Sequence, residues 1–229
     1  MIKELAENIV TARAERKPVA LLTWLDSGAQ RIVLPGSRID EPELTNALTD
    51  AFRLDRSGTV DTAEGELFIL VFNPPLRLVV IGAVHAAQYL APIAQMMGHD
   101  VTIIDPREAF ATADRFPDAH IIAEWPEDGL PLVGIDGRTA IIALTHDSKI
   151  DDIAIKMGLE QGAFYVGALG SKRTHAQRVE RLKATGLSEA DLARLHAPIG
   201  LDIGAQGPAE IAVSVMAELV AVLRGKMDG

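Results

Sequence analysis

After residue 76, short apolar segments alternate with segments of helix length, and this rhythm limits the possible folds more than any other feature. Strands that are apolar on both faces belong in a parallel sheet covered by helices on both sides, with right-handed crossovers. We predict an α/β, Rossmann-like, doubly wound parallel sheet with strand order 3-2-1-4-5. Its strands are predicted at 78–81, 101–104, 119–122, 139–144 and 163–166, and its helices at 85–97, 149–160, 172–185 and 209–223.

A small α+β module precedes this sheet. Apolar residues at helical spacing over 2–16 and a β-like run over 19–24 begin it, followed by a predicted strand near 31–34, a helix near 41–54 and a strand at 67–72. Asn73-Pro74-Pro75 then interrupts the pattern, because proline cannot donate a ladder hydrogen bond and restricts the residue before it. We therefore predict a module over residues 1–73 and a ligand-binding domain over 76–229.

The composition excludes several classes of protein. The chain of 229 residues is 48% hydrophobic and has no cysteine, which rules out disulfides, thiolate metal sites and a cysteine that carries sulfur. No leader pattern and no apolar run of about 18 residues are evident. The formal net charge of -10 argues against nucleic-acid binding. We expect a soluble, cytoplasmic protein with no stable membrane insertion.

Ligands of a doubly wound sheet bind beyond the carboxyl ends of its strands. The first strand runs into a turn that resembles a dinucleotide-binding loop and begins at Gly82, but Val84 stands where a second glycine would let the backbone approach a pyrophosphate. Asp105 ends the second strand, where a carboxylate can bond a ribose hydroxyl, and we expect it to face the cleft rather than lie buried. The alternative is a turn of Rossmann shape in which Asp105 only caps Pro106.

The fourth strand ends at Thr145 and His146, and the strand order places His146 on the same side of the cleft as His85. Two histidines there are compatible with a metal or an acid–base pair. No third ligand is evident, and a histidine near a helix start often bonds backbone or an anion. We therefore predict no metal ligands.

The fifth strand runs into a glycine-rich loop that opens a helix. Gly167 and Gly170 allow backbone N–H groups to face a ligand, and Ser171 precedes Lys172 and Arg173 at the positive end of the helix. These features favour an anion site over a solvated run of charges. A second loop of this kind, which contains Asp202 and Gly204, precedes the last helix and is interpreted either as a further ligand loop or as an ordinary helix start.

The last predicted helix is apolar on nearly every side. Such a helix has to be covered on more than one face, by its own domain or by a partner subunit. The pattern leaves both possibilities open, and the family resemblance described below favours a homodimer formed through this helix, with Val222 as an outward position.

At these motifs the sequence resembles the XdhC/CoxI family of molybdenum hydroxylase accessory proteins, most closely the CoxI-like branch. The resemblance rests on residues 74–85, 101–107, 143–147, 165–173 and 198–204. It implies an N-terminal XdhC/CoxI domain, a Rossmann domain, and binding of molybdenum cofactor as molybdopterin or its dinucleotide form. It also implies protection of the cofactor during sulfuration by a cysteine desulfurase, and its delivery to an apoenzyme such as xanthine or carbon monoxide dehydrogenase.

Three functions follow as hypotheses. The first is a cofactor chaperone without catalytic residues; the alternatives are an NAD(P)-dependent oxidoreductase and a regulatory module that senses a nucleotide. The predicted ligand-binding residues are Gly82, Val84, His85, Asp105, Arg107, Thr145, His146, Gly167, Gly170, Ser171, Lys172, Arg173, Asp202 and Gly204.

Overall fold

The computed structural model describes residues 3–227 and divides the chain into two compact units, the first ending at Pro74 and the second beginning at Pro75. The first unit contains α1 (Lys3–Ala14), β1 (Val19–Trp24), β2 (Gln30–Val33), α2 (Pro42–Arg53), β3 (Gly58–Thr62) and β4 (Gly65–Phe72). The second contains β5 (Arg77–Ile81), α3 (His85–Met96), β6 (Asp100–Ile104), β7 (His120–Ile122), α4 (Pro126–Val133), β8 (Thr139–Ala143), α5 (Ser148–Glu160), β9 (Tyr165–Ala168), α6 (Lys172–Ala184), α7 (Glu189–Leu192), β10 (Leu195–His196) and α8 (Pro208–Leu223).

The first unit is an antiparallel sheet of order β2-β1-β4-β3 with one helix on each face. Alternation along β1 produces this arrangement. Ala20 and Leu22 pack with α2, whereas Val19 and Leu21 pack with α1. Strand β3 was not predicted, because its residues are polar and mostly exposed and carry no apolar signal.

The second unit confirms the doubly wound fold. Its sheet has the order β10-β9-β8-β5-β6-β7, which is the predicted order 3-2-1-4-5 extended at one edge by β10, and all of its neighbouring strands pair in parallel. Alternate residues of β5 separate its two cores. Leu78 and Val80 pack with α3 and α8, and Val79 and Ile81 pack with α4, α5 and α6.

Three short elements of this unit were missed, and one strand was misplaced. Helix α4 contains two prolines and a glycine, α7 has four residues and β10 has two, so that none of them shows a full period of apolar residues. Strand β9 begins at Tyr165 rather than at 163, because the N–H of Ala163 still donates to the carbonyl of Gly158 in the last turns of α5.

Within residues 3–227, no helix is long and apolar enough to cross a membrane.

Two polar residues of α8, Ser214 and Glu218, are buried inside the domain. Glu218 accepts hydrogen bonds from the Tyr165 hydroxyl and from the Gly200 N–H at 2.8 Å, and His196 Nδ1 lies 3.4 Å from its other oxygen. Ser214 donates to the carbonyl of Leu201. These bonds attach the segment that follows β10 to α8 and to β9.

Loss of the Glu218 carboxylate should therefore destabilise the protein. Glu218→Ala leaves the buried Tyr165 hydroxyl and the Gly200 N–H without an acceptor, and we expect the free energy of unfolding to fall by about 3 kcal/mol. Glu218→Gln keeps an acceptor and should cost clearly less. Urea denaturation of both variants measures the difference, and equal losses would contradict this role of the carboxylate.

The same interaction predicts a pH dependence. Burial by itself would raise the pKa of Glu218, but hydrogen bonds from His196, Tyr165 and Gly200 outweigh it and hold the pKa below the usual range of a glutamate. A carboxylate with a lowered folded-state pKa contributes stability that is present above its unfolded pKa and is lost as pH falls through the folded one. The difference in unfolding free energy between the wild type and Glu218→Gln should therefore shrink as the pH falls below the usual pKa range of a glutamate. A difference that stays constant with pH would contradict this role of the carboxylate.

Candidate functional site

All of the predicted ligand residues lie at the carboxyl ends of the parallel strands, in the loops that follow them or in the first turns of the next helices. They follow β5, β6, β8, β9 and β10, except that Gly167 lies inside β9. Because β6, β5, β8 and β9 are neighbours in the sheet, their exits form one continuous edge. That edge is the candidate site.

Gly82 joins the exits of β5 and β8. Its φ is +108°, and a Cβ built on it would come 2.6 Å from Thr145 Cγ2. The glycine is therefore required for close packing of these two loops. Val84 takes the helix N-cap position without providing a side-chain bond, and His85 is exposed with its ring centroid 5.4 Å from that of Tyr89.

The loop after β8 is held by a buried carboxylate that was not predicted. Asp151 of α5 accepts hydrogen bonds from the Thr145 hydroxyl at 2.7 Å, from the Thr145 N–H at 3.2 Å and from the His146 N–H at 3.0 Å. These bonds hold the exposed His146 at a φ of +64°. Burial raises the pKa of Asp151.

Arg178 of α6 connects Asp151 with the loop after β9. Its Nη2 lies 3.7 Å from Asp151 and donates to the carbonyl of Leu169, after β9, at 3.1 Å. Arg178 is 2% exposed. A charged residue on the otherwise apolar face of α5, between Ile150 and Ala154, was the signal in the sequence for this pair.

Asp105 differs from the expectation of a carboxylate open to the cleft. It lies directly after β6 beside the Gly82 turn, but it is fully buried and accepts from the Ala83 N–H at 2.7 Å. Its remaining capacity is taken by Arg107, through the backbone N–H and through Nε and Nη2 at 2.8 and 2.7 Å. Burial alone would raise the pKa of Asp105, but these hydrogen bonds outweigh it and hold the pKa below its usual range.

The loop after β9 ends in an exposed basic helix start. Gly170 has a φ of +146°, Ser171 caps the helix by accepting from the Thr174 N–H, and Lys172 and Arg173 are exposed. Gly167, in contrast, makes room for a neighbour, since a Cβ there would come 2.5 Å from Ile199 Cδ1.

The helix starts along the edge differ in whether the chain already supplies a carboxylate. Asp147 caps α5 by accepting from the Lys149 N–H, and Glu210 accepts from the N–H groups of Gln206 and Gly207 before α8. The first turns of α3 and α6 contain no acidic residue. An external anion is therefore better accommodated at α3 and α6 than at the loop that carries Asp202 and Gly204.

Among the residues that the structure describes, no group of three His, Asp or Glu side chains is placed to hold a metal ion. His85 and His146 lie on neighbouring exits without a third ligand.

Comparison with known proteins gives one family. The XdhC Rossmann domain family matches residues 78–219. Curated relatives include a probable xanthine dehydrogenase subunit of Bacillus subtilis (35% identical, 67% of this chain and 45% of that protein) and the "Molybdenum cofactor insertion chaperone PaoD" of Escherichia coli (32% identical, 68% and 42%). The "Uncharacterized protein YqeB" of E. coli is 33% identical over 71% of this chain and 30% of its own length.

A solved structure supports the fold. The crystal structure described as a xanthine dehydrogenase from Bacillus halodurans superposes with a TM-score of 0.72 at 24% identity, covering 98% of this chain and 65% of that one. This chain spans less than half the length of the curated relatives it matches. The match over more than half of its residues shows that the chain belongs to the XdhC/CoxI family.

Proposed function

We propose that this chain is an accessory protein that binds molybdenum cofactor, as molybdopterin or its dinucleotide form, and assists its maturation and its insertion into a molybdenum hydroxylase in the cytoplasm. The observation that carries the proposal is the start of α6, where two exposed cations and a helix start without an acidic residue meet in an acidic protein. The names of two relatives, a cofactor insertion chaperone and a xanthine dehydrogenase component, support the same role.

The residues at this edge fit the anionic end of such a cofactor. Lys172, Arg173 and the backbone from Gly170 would hold its phosphate, since charge-assisted hydrogen bonds to an anion are the strong ones. The redox chemistry belongs to the cofactor's molybdenum in the client enzyme. With no cysteine in the chain, a cysteine desulfurase partner would have to deliver sulfur to the cofactor directly rather than through a thiol of this protein.

The geometry is poorly suited to NAD, one of the cofactors of the rival oxidoreductase. NAD is usually recognised by a free carboxylate on the ribose and by glycines against the pyrophosphate. Here the Asp105 carboxylate is occupied by Arg107 and Ala83, and Val84 stands at the turn. Mass spectrometry of the ligand released from purified protein decides: a pterin supports the proposal, whereas a nicotinamide dinucleotide or an adenine nucleotide alone would replace it with an oxidoreductase or a sensor.

We further propose that the protein is a homodimer in which α8 and its neighbour α3 meet their copies. The two helices pack on each other and leave apolar side chains outside, with Val213 of α8 52% exposed and Met96 of α3 81% exposed. A two-fold symmetric contact is the commonest way in which two copies of a chain cover exposed apolar side chains. Val222, expected to point outwards, is half-buried and packs on its own core instead.

The first prediction of this proposal concerns the basic helix start. Lys172→Ala with Arg173→Ala should reduce the molybdenum cofactor retained per chain by about tenfold or more, because each charged contact contributes about 1.5–3 kcal/mol. The unfolding free energy of the ligand-free variant should rise by a few tenths of a kcal/mol, since both cations face the positive end of the helix. Pterin fluorescence after release and urea denaturation measure the two effects.

A matched control removes the same charge from the other end of α6. Arg181→Ala with Lys183→Ala should leave cofactor retention unchanged and lower stability, because these cations lie in the last turn and pair with Asp152 and Glu189. Equal cofactor retention by the two double variants would refute the assignment of the phosphate site to the loop after β9.

The second prediction concerns the dimer. Val213→Glu should convert the protein to a monomer in light scattering at micromolar concentration without unfolding it, because the side chain is exposed in the single chain. Leu132→Glu places the same charge on α4, on the opposite face of the sheet, and should leave the dimer intact. A wild-type monomer mass, with and without ligand, would refute self-association.

A further inference from the structure

The carboxylate of Asp105, directly after β6, has all of its acceptor positions filled by hydrogen bonds within the chain. Each oxygen of Asp105 accepts two hydrogen bonds, Oδ1 from the N–H and Nε of Arg107, and Oδ2 from the Ala83 N–H and from Nη2 of Arg107. An ionised carboxylate has about four acceptor positions. It therefore has no capacity left for the hydroxyl groups of a ligand.

The group that this arrangement presents to the site is the guanidinium of Arg107. Two of its nitrogens are fixed by Asp105, whereas Nη1 has no hydrogen-bond partner within residues 3–227, and the side chain is 42% exposed. Its Cζ lies 4.9 Å from the ring centroid of Phe110, so that packing and the bidentate bond together hold one orientation. An arginine held in this way loses little further entropy on binding an anion.

We infer that Arg107 forms a second anion subsite, and that the site selects a phosphate monoester over a diol at the tip of β6. This goes beyond the proposed function, which uses one phosphate at the start of α6, and rests on its placement of a ligand along this edge. A carboxylate at this point of a doubly wound sheet recognises vicinal hydroxyls, and an arginine recognises a phosphate in their place. In this protein the Arg107 guanidinium lies over the Asp105 carboxylate, so that a ligand meets the arginine.

The sheet order sets the distance between the two anion subsites. Strands β5 and β8 lie between β6 and β9, so the tips of the outer two are about 14 Å apart at ordinary strand spacing. A single phosphate cannot reach both. A ligand that uses Arg107 together with Lys172 and Arg173 therefore carries anionic groups at two points along its length.

Two probes that differ by one phosphate test this subsite without the cofactor. Calorimetry should show adenosine 2′,5′-bisphosphate binding the whole chain about tenfold or more tightly than adenosine 5′-monophosphate. Arg107→Ala should bring the ratio close to one. Since that variant leaves a buried carboxylate unpaired, Asp105→Asn with Arg107→Ala provides a second variant that removes the charge as well, and it should also lose the preference.

The control separates this inference from the proposed function. Lys172→Ala with Arg173→Ala should leave the ratio of the two affinities unchanged, because a probe built on one ribose cannot reach from Arg107 to the start of α6, about 14 Å away. Equal binding of the probes by the wild type, binding of neither, or a preference that survives in both Arg107 variants would overturn the subsite. The proposed function instead fails if the released ligand is not a pterin, whatever the ratio.

Discussion

The buried ion pair between Asp151 and Arg178 is the interaction on which the site depends. The carboxylate holds Thr145 and His146 after β8, and the guanidinium holds the carbonyl of Leu169 after β9. Both side chains are almost completely buried, so removing either would leave an uncompensated charge in the core. Two loops from neighbouring strands are thereby tied to two helices, and the edge between them has a defined shape before any ligand arrives.

Polar groups along this edge divide into those satisfied by the chain and those left available. Asp147 and Glu210 occupy the starts of α5 and α8, and Asp105 is enclosed by Arg107. The start of α6 and one side of the Arg107 guanidinium remain available to an anion. The acidic net charge of the whole chain therefore does not exclude an anionic ligand, because exposed cations lie at these two points of the edge.

The sequence predicts the sheet better than it predicts the site. Strands such as β5 are apolar over successive positions, here residues 78–81, and helical segments separate them, so that order and direction follow from general rules. Whether the Asp105 carboxylate is free for a ligand depends on whether the side chain of Arg107, two residues later, folds back onto it. No periodic pattern in the sequence encodes such a contact. Asp151 was detectable only as a charge on a buried helix face.

The proposed phosphate site at Lys172 and Arg173 also bears on how a bound cofactor would be released. Lys172 and Arg173 lie at the positive end of α6, and in the free protein mobile counterions would gather around them. A phosphate that binds there would displace these counterions. Part of the driving force for binding is then the entropy of the released ions, which declines as ionic strength rises. At cellular ionic strength this contribution to the proposed binding would be small, so that a client enzyme with buried hydrogen-bond donors would bind the same phosphate more tightly.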